Sequence, residues 1–279
     1  MQFLLGLIWM AVMANGVVPL RFSGSHVLVD GVYVNGEGPF RFLLDTGAET
    51  TSVTPRLASR IGLQTPYAVE VFTLTGGHAA AAGRADVTVG DAVALQTEVV
   101  VQDLALAKGL DQRVEGVLGQ SFLGRFRHLV DYANARLSFQ PPRPPQGVRM
   151  PIERADGGWV VRAGGRRLLL DSGSTALILF AREAQGFRPN GTVELSTVNG
   201  RRNAAFGRLR ELCMDGLRLR DLPVVLAGAV KRDADGLLPL ALFRSVYVDP
   251  MERWVILDPV SAHGSTPSST TSLAFLPAR

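Results

Sequence analysis

A mostly β architecture, built as two lobes from one duplicated unit with a cleft between them, is predicted by three features of the 279-residue chain. The first is a motif that occurs twice: residues 42–50 read FLLDTGAET and residues 168–179 read LLLDSGSTALIL. Each copy runs an apolar stretch into an aspartate, a hydroxyl residue and a glycine, giving Asp45-Thr46-Gly47 and Asp171-Ser172-Gly173. The second is a drift of offsets between the halves. Asp45 matches Asp171 at 126, Gly76 matches Gly200 and Gly83 matches Gly207 at 124, Glu115-Gly116 matches Asp235-Gly236 at 120, and Asp131 matches Asp249 at 118. A steady fall is what a duplicated domain with a few loop deletions produces, whereas chance matches wander in both directions. The third is that both halves consist of short apolar or alternating runs separated by Gly, Pro and Asn, which reads as many strands and few helices.

In chain order, residues 1–14 contain an uncharged apolar stretch with small residues near its end, the pattern of a signal peptide. It predicts a secreted or periplasmic protein, held at the membrane if the leader is uncleaved; a buried first strand or helix is the alternative. The first lobe is expected over residues 22–139. There, residues 26–34 alternate as a strand, 35–39 are dense turn chemistry, and 40–44 form a second strand that delivers Asp45. Thr54 as N-cap, Pro55 at the first helical position and Gly62 at the end predict one short helix. Strands over 69–74 and 85–89 flank a glycine- and alanine-rich stretch, Thr75-Gly76-Gly77-His78 and on to Gly83, read as a flexible tip able to bend over a cleft. Residues 140–147, QPPRPPQG, form a polyproline-type spacer. The second lobe follows over 148–260, and the Ser/Thr-rich stretch 261–279 reads as a flexible tail.

Composition narrows the function. With 47% apolar and 19% charged residues the chain is neither disordered nor fibrous. Its net charge of +4 comes from scattered arginines, Lys108 and Lys231 being the only lysines, and the absence of a basic stripe argues against a nucleic-acid partner. Cys213, the only cysteine, excludes an internal disulfide and in its apolar context reads as a small buried hydrophobe. Histidines 26, 78, 128 and 263 lack zinc-ligand spacing, so no metal is expected. Gly119-Gln120-Ser121-Phe122-Leu123 is a weak match to a nucleophile elbow, without its closing glycine.

If the lobes face each other, Asp45 and Asp171 meet across the seam. Like charges that close cannot both ionise, so the pair shares a proton and supplies one base and one acid. Ser174 follows the second triplet and can donate towards Asp171, whereas Ala48 has no hydroxyl to offer Asp45; the shared proton is therefore expected on Asp45.

These residues resemble the aspartic peptidases, and the stretch VNGEGPFRFLLDTGAETT in the first half is similar to the bacterial retropepsin-like members. The resemblance runs from about residue 27 to 259. It implies a two-lobed aspartic-protease-like fold and an endopeptidase in which water held between Asp45 and Asp171 attacks a peptide carbonyl, with no cofactor, metal or covalent intermediate. It implies that the Thr46 and Ser172 hydroxyls reach across the seam, that Gly47 and Gly173 permit close approach, and that Ser174 and Gly119 support the loops. The second lobe departs from the pattern with Pro239 where glycine is expected. Thr75, Gly76, Gly77 and His78, with Asn199 and Gly200 in the second lobe, are implied as flap and substrate-binding positions, although no tyrosine stands in the first tip. The implied partner is a polypeptide in extended conformation, and two lobes in one chain imply a monomer. The competing readings are an inactive peptide-binding module of the same fold and an actin-like ATPase or sugar kinase; few helical periods weigh against the latter.

Overall fold

The computed structural model describes residues 16–73, 76–197 and 200–260. The expected leader over 1–14, the tail over 261–279, and the two tip residues Thr75 and Asn199 lie outside them. The described part of the first half contains β1 (Val17–Ser23), β2 (His26–Val34), β3 (Glu37–Leu44), β4 (Thr51–Val53), α1 (Pro55–Arg60), β5 (Tyr67–Thr73), β6 (Gly76–Val89), β7 (Ala92–Val101), α2 (Ala105–Leu110), β8 (Val114–Leu118), α3 (Gln120–Leu123), β9 (His128–Asp131) and β10 (Arg136–Phe139). The second half contains β11 (Val148–Pro151), β12 (Glu153–Ala155), β13 (Gly158–Ala163), β14 (Arg166–Asp171), β15 (Leu177–Leu179), β16 (Phe187–Thr197), β17 (Gly200–Met214), β18 (Leu217–Leu226), β19 (Gly236–Pro239), β20 (Phe243–Asp249) and β21 (Trp254–Pro259).

A 13-stranded sheet runs β11-β21-β20-β9-β10-β1-β2-β3-β8-β4-β7-β6-β5, and an 8-stranded sheet runs β12-β13-β14-β19-β15-β18-β17-β16. β1 is the corner of the first: Val17 pairs with Ser138 on β10 and Leu20 with Val29 on β2. The strands from β11 to β1 therefore form a floor common to both halves. At its middle β9 and β20 pair antiparallel, Leu129 with Tyr247 and Val130 with Val246.

The registers repeat at the offsets read from the sequence. β3 runs parallel to β8 with Leu43 beside Val117, and β14 runs parallel to β19 with Leu169 beside Leu237. β4 lies antiparallel to β8, Ser52 beside Val117, as β15 lies against β19, Ile178 beside Leu237. Gly83 pairs with Val99, and Gly207 with Val224. A Cβ at either glycine would sit about on top of a carbonyl oxygen, 1.9 Å from that of Gln64, which precedes the β5–β6 hairpin, and 2.1 Å from that of Arg188 on the paired strand β16.

The apolar runs explain how carboxylates reach the interior. Phe42, Leu43 and Leu44 are wholly buried, as are Leu168 and Leu169, and full burial of each contributes on the order of 1.5–3 kcal/mol. That driving force offsets the cost of carrying an aspartate to the end of each strand.

Several sequence expectations need correction. The turn after β2 is two residues, Asn35-Gly36, both with positive φ, and the strand resumes at Glu37. The alanine-rich stretch is not a flexible tip: it is the body of β6, with Ala80 and Ala82 buried on one face and Ala79 and Ala81 exposed on the other. Cys213 is exposed, because the alternation of β17 turns its neighbours Leu212 and Met214 into the core. α2 was not expected; it lacks a side-chain N-cap and contains Gly109, yet Ala107 packs against Leu104, Val114 and Val117. The short helix α1 follows its sequence signals, with the Thr54 hydroxyl accepting from the Leu57 N–H at 3.2 Å.

Candidate active site

β3 and β14 deliver Asp45 and Asp171 to one point between the halves, where they are 2% and 4% exposed. Each glycine of the motif lies against the opposite carboxylate. A Cβ at Gly47 would come within 2.8 Å of Asp171 Cγ, and one at Gly173 within 2.9 Å of Asp45 Cγ, so any side chain there would push the loops apart. The two carboxyl groups are close enough for the charge of Asp171 to act on Asp45.

The hydroxyl residues tie the loops reciprocally. Ser172 Oγ donates to the Leu44 carbonyl at 2.8 Å and accepts from the Thr46 N–H at 3.0 Å. Thr46 Oγ1 donates to the Leu170 carbonyl at 2.9 Å and accepts from the Ser172 N–H at 3.0 Å. All four bonds cross between the halves and all are buried.

Backbone N–H groups fix one oxygen of each acid. Asp45 Oδ1 accepts from Gly47 at 2.9 Å and Ala48 at 3.1 Å, and Asp171 Oδ1 accepts from Gly173 at 2.7 Å. Burial, and then the charge of Asp171, push the Asp45 carboxyl well above the usual range. Burial also raises Asp171, but the Gly173 N–H, the Asp45 side chain and the Ser174 hydroxyl pull the other way. Ser174 Oγ in addition donates to the Asp171 backbone carbonyl at 3.3 Å. Asp45 is therefore raised further above the usual carboxylate range than Asp171.

The supports differ beneath the two loops. Gly119 packs under the first, where a Cβ would lie 2.4 Å from the Thr50 carbonyl oxygen, and its N–H donates to Thr51 Oγ1 at 3.2 Å. Pro239 stands beside Asp171 in the ladder and has no N–H. The residue matching Thr51 at the motif's offset of 126 is Leu177, which has no hydroxyl. Donor and acceptor are absent together, so the departure at Pro239 leaves no unpaired partner at that position.

Sequence reasoning missed Gln120, whose Nε2 donates to the Thr46 carbonyl at 2.7 Å from beneath the first loop. It also missed Arg232, which reaches from the second half to the Phe72 carbonyl on β5 at 3.4 Å and whose charge acts on Asp171. Gln120 sits in the stretch read as a weak nucleophile-elbow match, which gives its amide no role, and Arg232 sits in no recognisable motif. Ser121 is no nucleophile: its Oγ accepts from the Thr51 N–H at 2.8 Å and donates to the Glu98 carbonyl at 2.9 Å.

Of the expected flap positions, Gly76, Gly77 and His78 open β6, pairing with Thr73, Phe72 and Val71 of β5, so they belong to a hairpin strand. Gly200 opens β17 opposite Thr197 in the matching hairpin. Among the described residues no group of three or more His, Cys, Asp or Glu is arranged to hold a metal ion.

Comparison with known proteins agrees with this geometry. The family model for aspartyl protease matches residues 31–122. No curated protein matches the sequence. Among solved structures, the aspartic proteinase from Irpex lacteus is similar over 89% of this chain and 98% of its own, with a TM-score of 0.56 and 12% sequence identity. Residues 31–122 thus resemble the aspartyl protease family in sequence, and the chain has the aspartic-proteinase fold.

Proposed function

We propose that the protein is an aspartic endopeptidase whose reacting groups are Asp45 and Asp171. The observation that carries this reading is the reciprocal site: two buried carboxyl groups brought to one point, each pressed by the other half's glycine, on loops locked by four crossing hydroxyl bonds. Such a pair holds one proton near neutrality and cannot hold two charges.

In the reaction, ionised Asp171 takes a proton from a water between the acids, and the water oxygen bonds to the peptide carbonyl carbon. Protonated Asp45 gives its proton to the carbonyl oxygen, so the intermediate is a neutral gem-diol. Collapse breaks the C–N bond as Asp171 gives its proton to the leaving amine and a gem-diol hydroxyl gives its proton to Asp45, which releases the carboxylic acid product and restores the shared-proton state. The substrate is a polypeptide in extended form, bound by main-chain bonds under the β5–β6 hairpin with side chains in alternate pockets.

The test is hydrolysis of an unfolded protein by the wild type, Asp45→Asn and Asp171→Asn across pH, with and without a statine-type mimic of the gem-diol. Cleavage that needs both acids and yields to the mimic is expected. Cleavage surviving either substitution sinks the mechanism, and no cleavage by the wild type leaves a peptide-binding module.

A further inference from the structure

Next to the Asp45 loop, a small space opens between the residues leaving the motif, the hairpin strand β5 and β7. Its walls include Glu49, Glu70, Glu98 and Gln102, with Val69 and Val71. Among the described residues no lysine or arginine lines it. Gln102 is 6% exposed; its Nε2 donates to Ser52 Oγ at 2.7 Å, and its Oε1 has no partner among the described residues. A buried amide oxygen without a donor costs about 1–3 kcal/mol, so the position asks for one.

The site adjoins the reacting groups. Ala48, also on its wall, gives its N–H to Asp45 Oδ1 at 3.1 Å. Glu70 Oε1 lies 3.1 Å from where a Cβ on the hairpin residue Gly77 would be, which places it against the flap. Gly157, from the turn between β12 and β13 of the other half, packs so closely on Glu49 that a Cβ there would meet its Cγ at 2.4 Å. Glu98 accepts from the Tyr67 hydroxyl at 3.3 Å. The acids are thus held in place by both halves of the molecule.

We propose that this space is a subsite for a lysine side chain of the peptide substrate, a proposal that rests on the peptidase reading for its substrate class. The ammonium carries three donors and a charge to meet the Gln102 oxygen and the carboxylates, and the methylenes of its stem lie on Val69 and Val71. Size favours lysine over arginine: the space is about 20 Å³, room for one water-sized group such as the ammonium head, and a planar guanidinium is larger than that.

The experiment uses a positional set of extended decapeptides carrying lysine, norleucine or arginine at each position in turn. Binding is measured by fluorescence anisotropy on the Asp45→Asn protein, and cleavage on the wild type. At one position, lysine is expected to bind about tenfold tighter than norleucine or arginine. Added salt weakens that preference, and Glu70→Gln brings it to within about twofold, with Glu98→Gln as the second variant if the first fails to fold. The ratio between peptides is the readout, so a uniform loss of affinity does not count. Equal affinities, arginine matching lysine, or no binding of any peptide overturns the subsite. Lysine-selective binding without wild-type cleavage keeps the subsite and rejects the peptidase; cleavage indifferent to lysine does the reverse.

Discussion

Beneath Asp45 the loop rests on Gly119, whose N–H is received by Thr51; beneath Asp171 the same ladder position is Pro239, with Leu177 in place of the threonine. Further out the halves still correspond. Thr54 N–H donates to the Glu115 carbonyl at 3.0 Å, as Phe180 N–H donates to that of Asp235 at 2.8 Å, although the side chains share nothing. Arg41 binds Asp30 and Asp111 on the first half, while the matching Arg167 donates through its backbone N–H to Asp235 and through Nη1 to the Asp233 carbonyl. Main-chain bonds persisted where side-chain bonds were exchanged in pairs. The lesson is that a buried polar contact is lost safely only when both members go. The reciprocal hydroxyl bonds allow no such exchange, because each also serves the other half.

That comparison can be broken at several depths. Asp45→Asn and Asp171→Asn should each lower kcat/KM by about 10³-fold or more, since either removes the shared-proton state. The raised carboxyl also bears on stability. Folded Asp45 holds its proton more tightly than the free side chain, so the fold weakens as pH rises from the ordinary value of 3.8 through the raised one. Asparagine escapes that loss, and Asp45→Asn should raise Tm at pH 7 by a few degrees, the gain vanishing below about pH 4. Thermal melts across pH check this, and an unchanged Tm at pH 7 contradicts the assignment.

Ser172→Ala and Thr46→Val each strip two buried backbone groups of a partner, so each should cost about 2–4 kcal/mol in urea denaturation. A difference between them larger than about 1 kcal/mol would mean that the grip is not symmetric. Thr51→Val leaves only the Gly119 N–H unpaired and should cost about 1–2 kcal/mol, whereas Leu177 already shows the apolar solution in the second half. The smallest effect is expected from Ala48→Ser, which supplies the first loop with the hydroxyl that Ser174 supplies to the second. A donor to Asp45 lowers its pKa, so the alkaline limb of the pH-rate profile should move to lower pH with kcat changed less than about threefold; an unmoved profile rejects the account of where the proton sits.

Much of the fold was legible because a duplicated motif constrains itself. The offsets at Asp45, Gly83 and Glu115 read from residue letters reappear as pairing registers, and the triplets meet as their symmetry requires. What the letters hid were long-range contacts between unremarkable residues. Gln120 supports Thr46 from 74 positions away and Arg232 reaches Phe72 from 160, distances over which no local pattern speaks. The hairpin of β5 and β6 was misread for a different reason: glycine and alanine signal flexibility locally, but here small side chains are what lets β6 pack closely on its neighbours.

The pairing of β9 with β20 has a consequence for chain integrity. Four rungs join the halves through the main chain itself, reinforced by the crossing hydroxyls, while the proline-rich bridge contributes no strand. Severing that bridge between residues 140 and 147 should therefore yield a nicked two-chain protein that migrates as one body and keeps its cleft, the peptide linkage having become dispensable once the ladder closed.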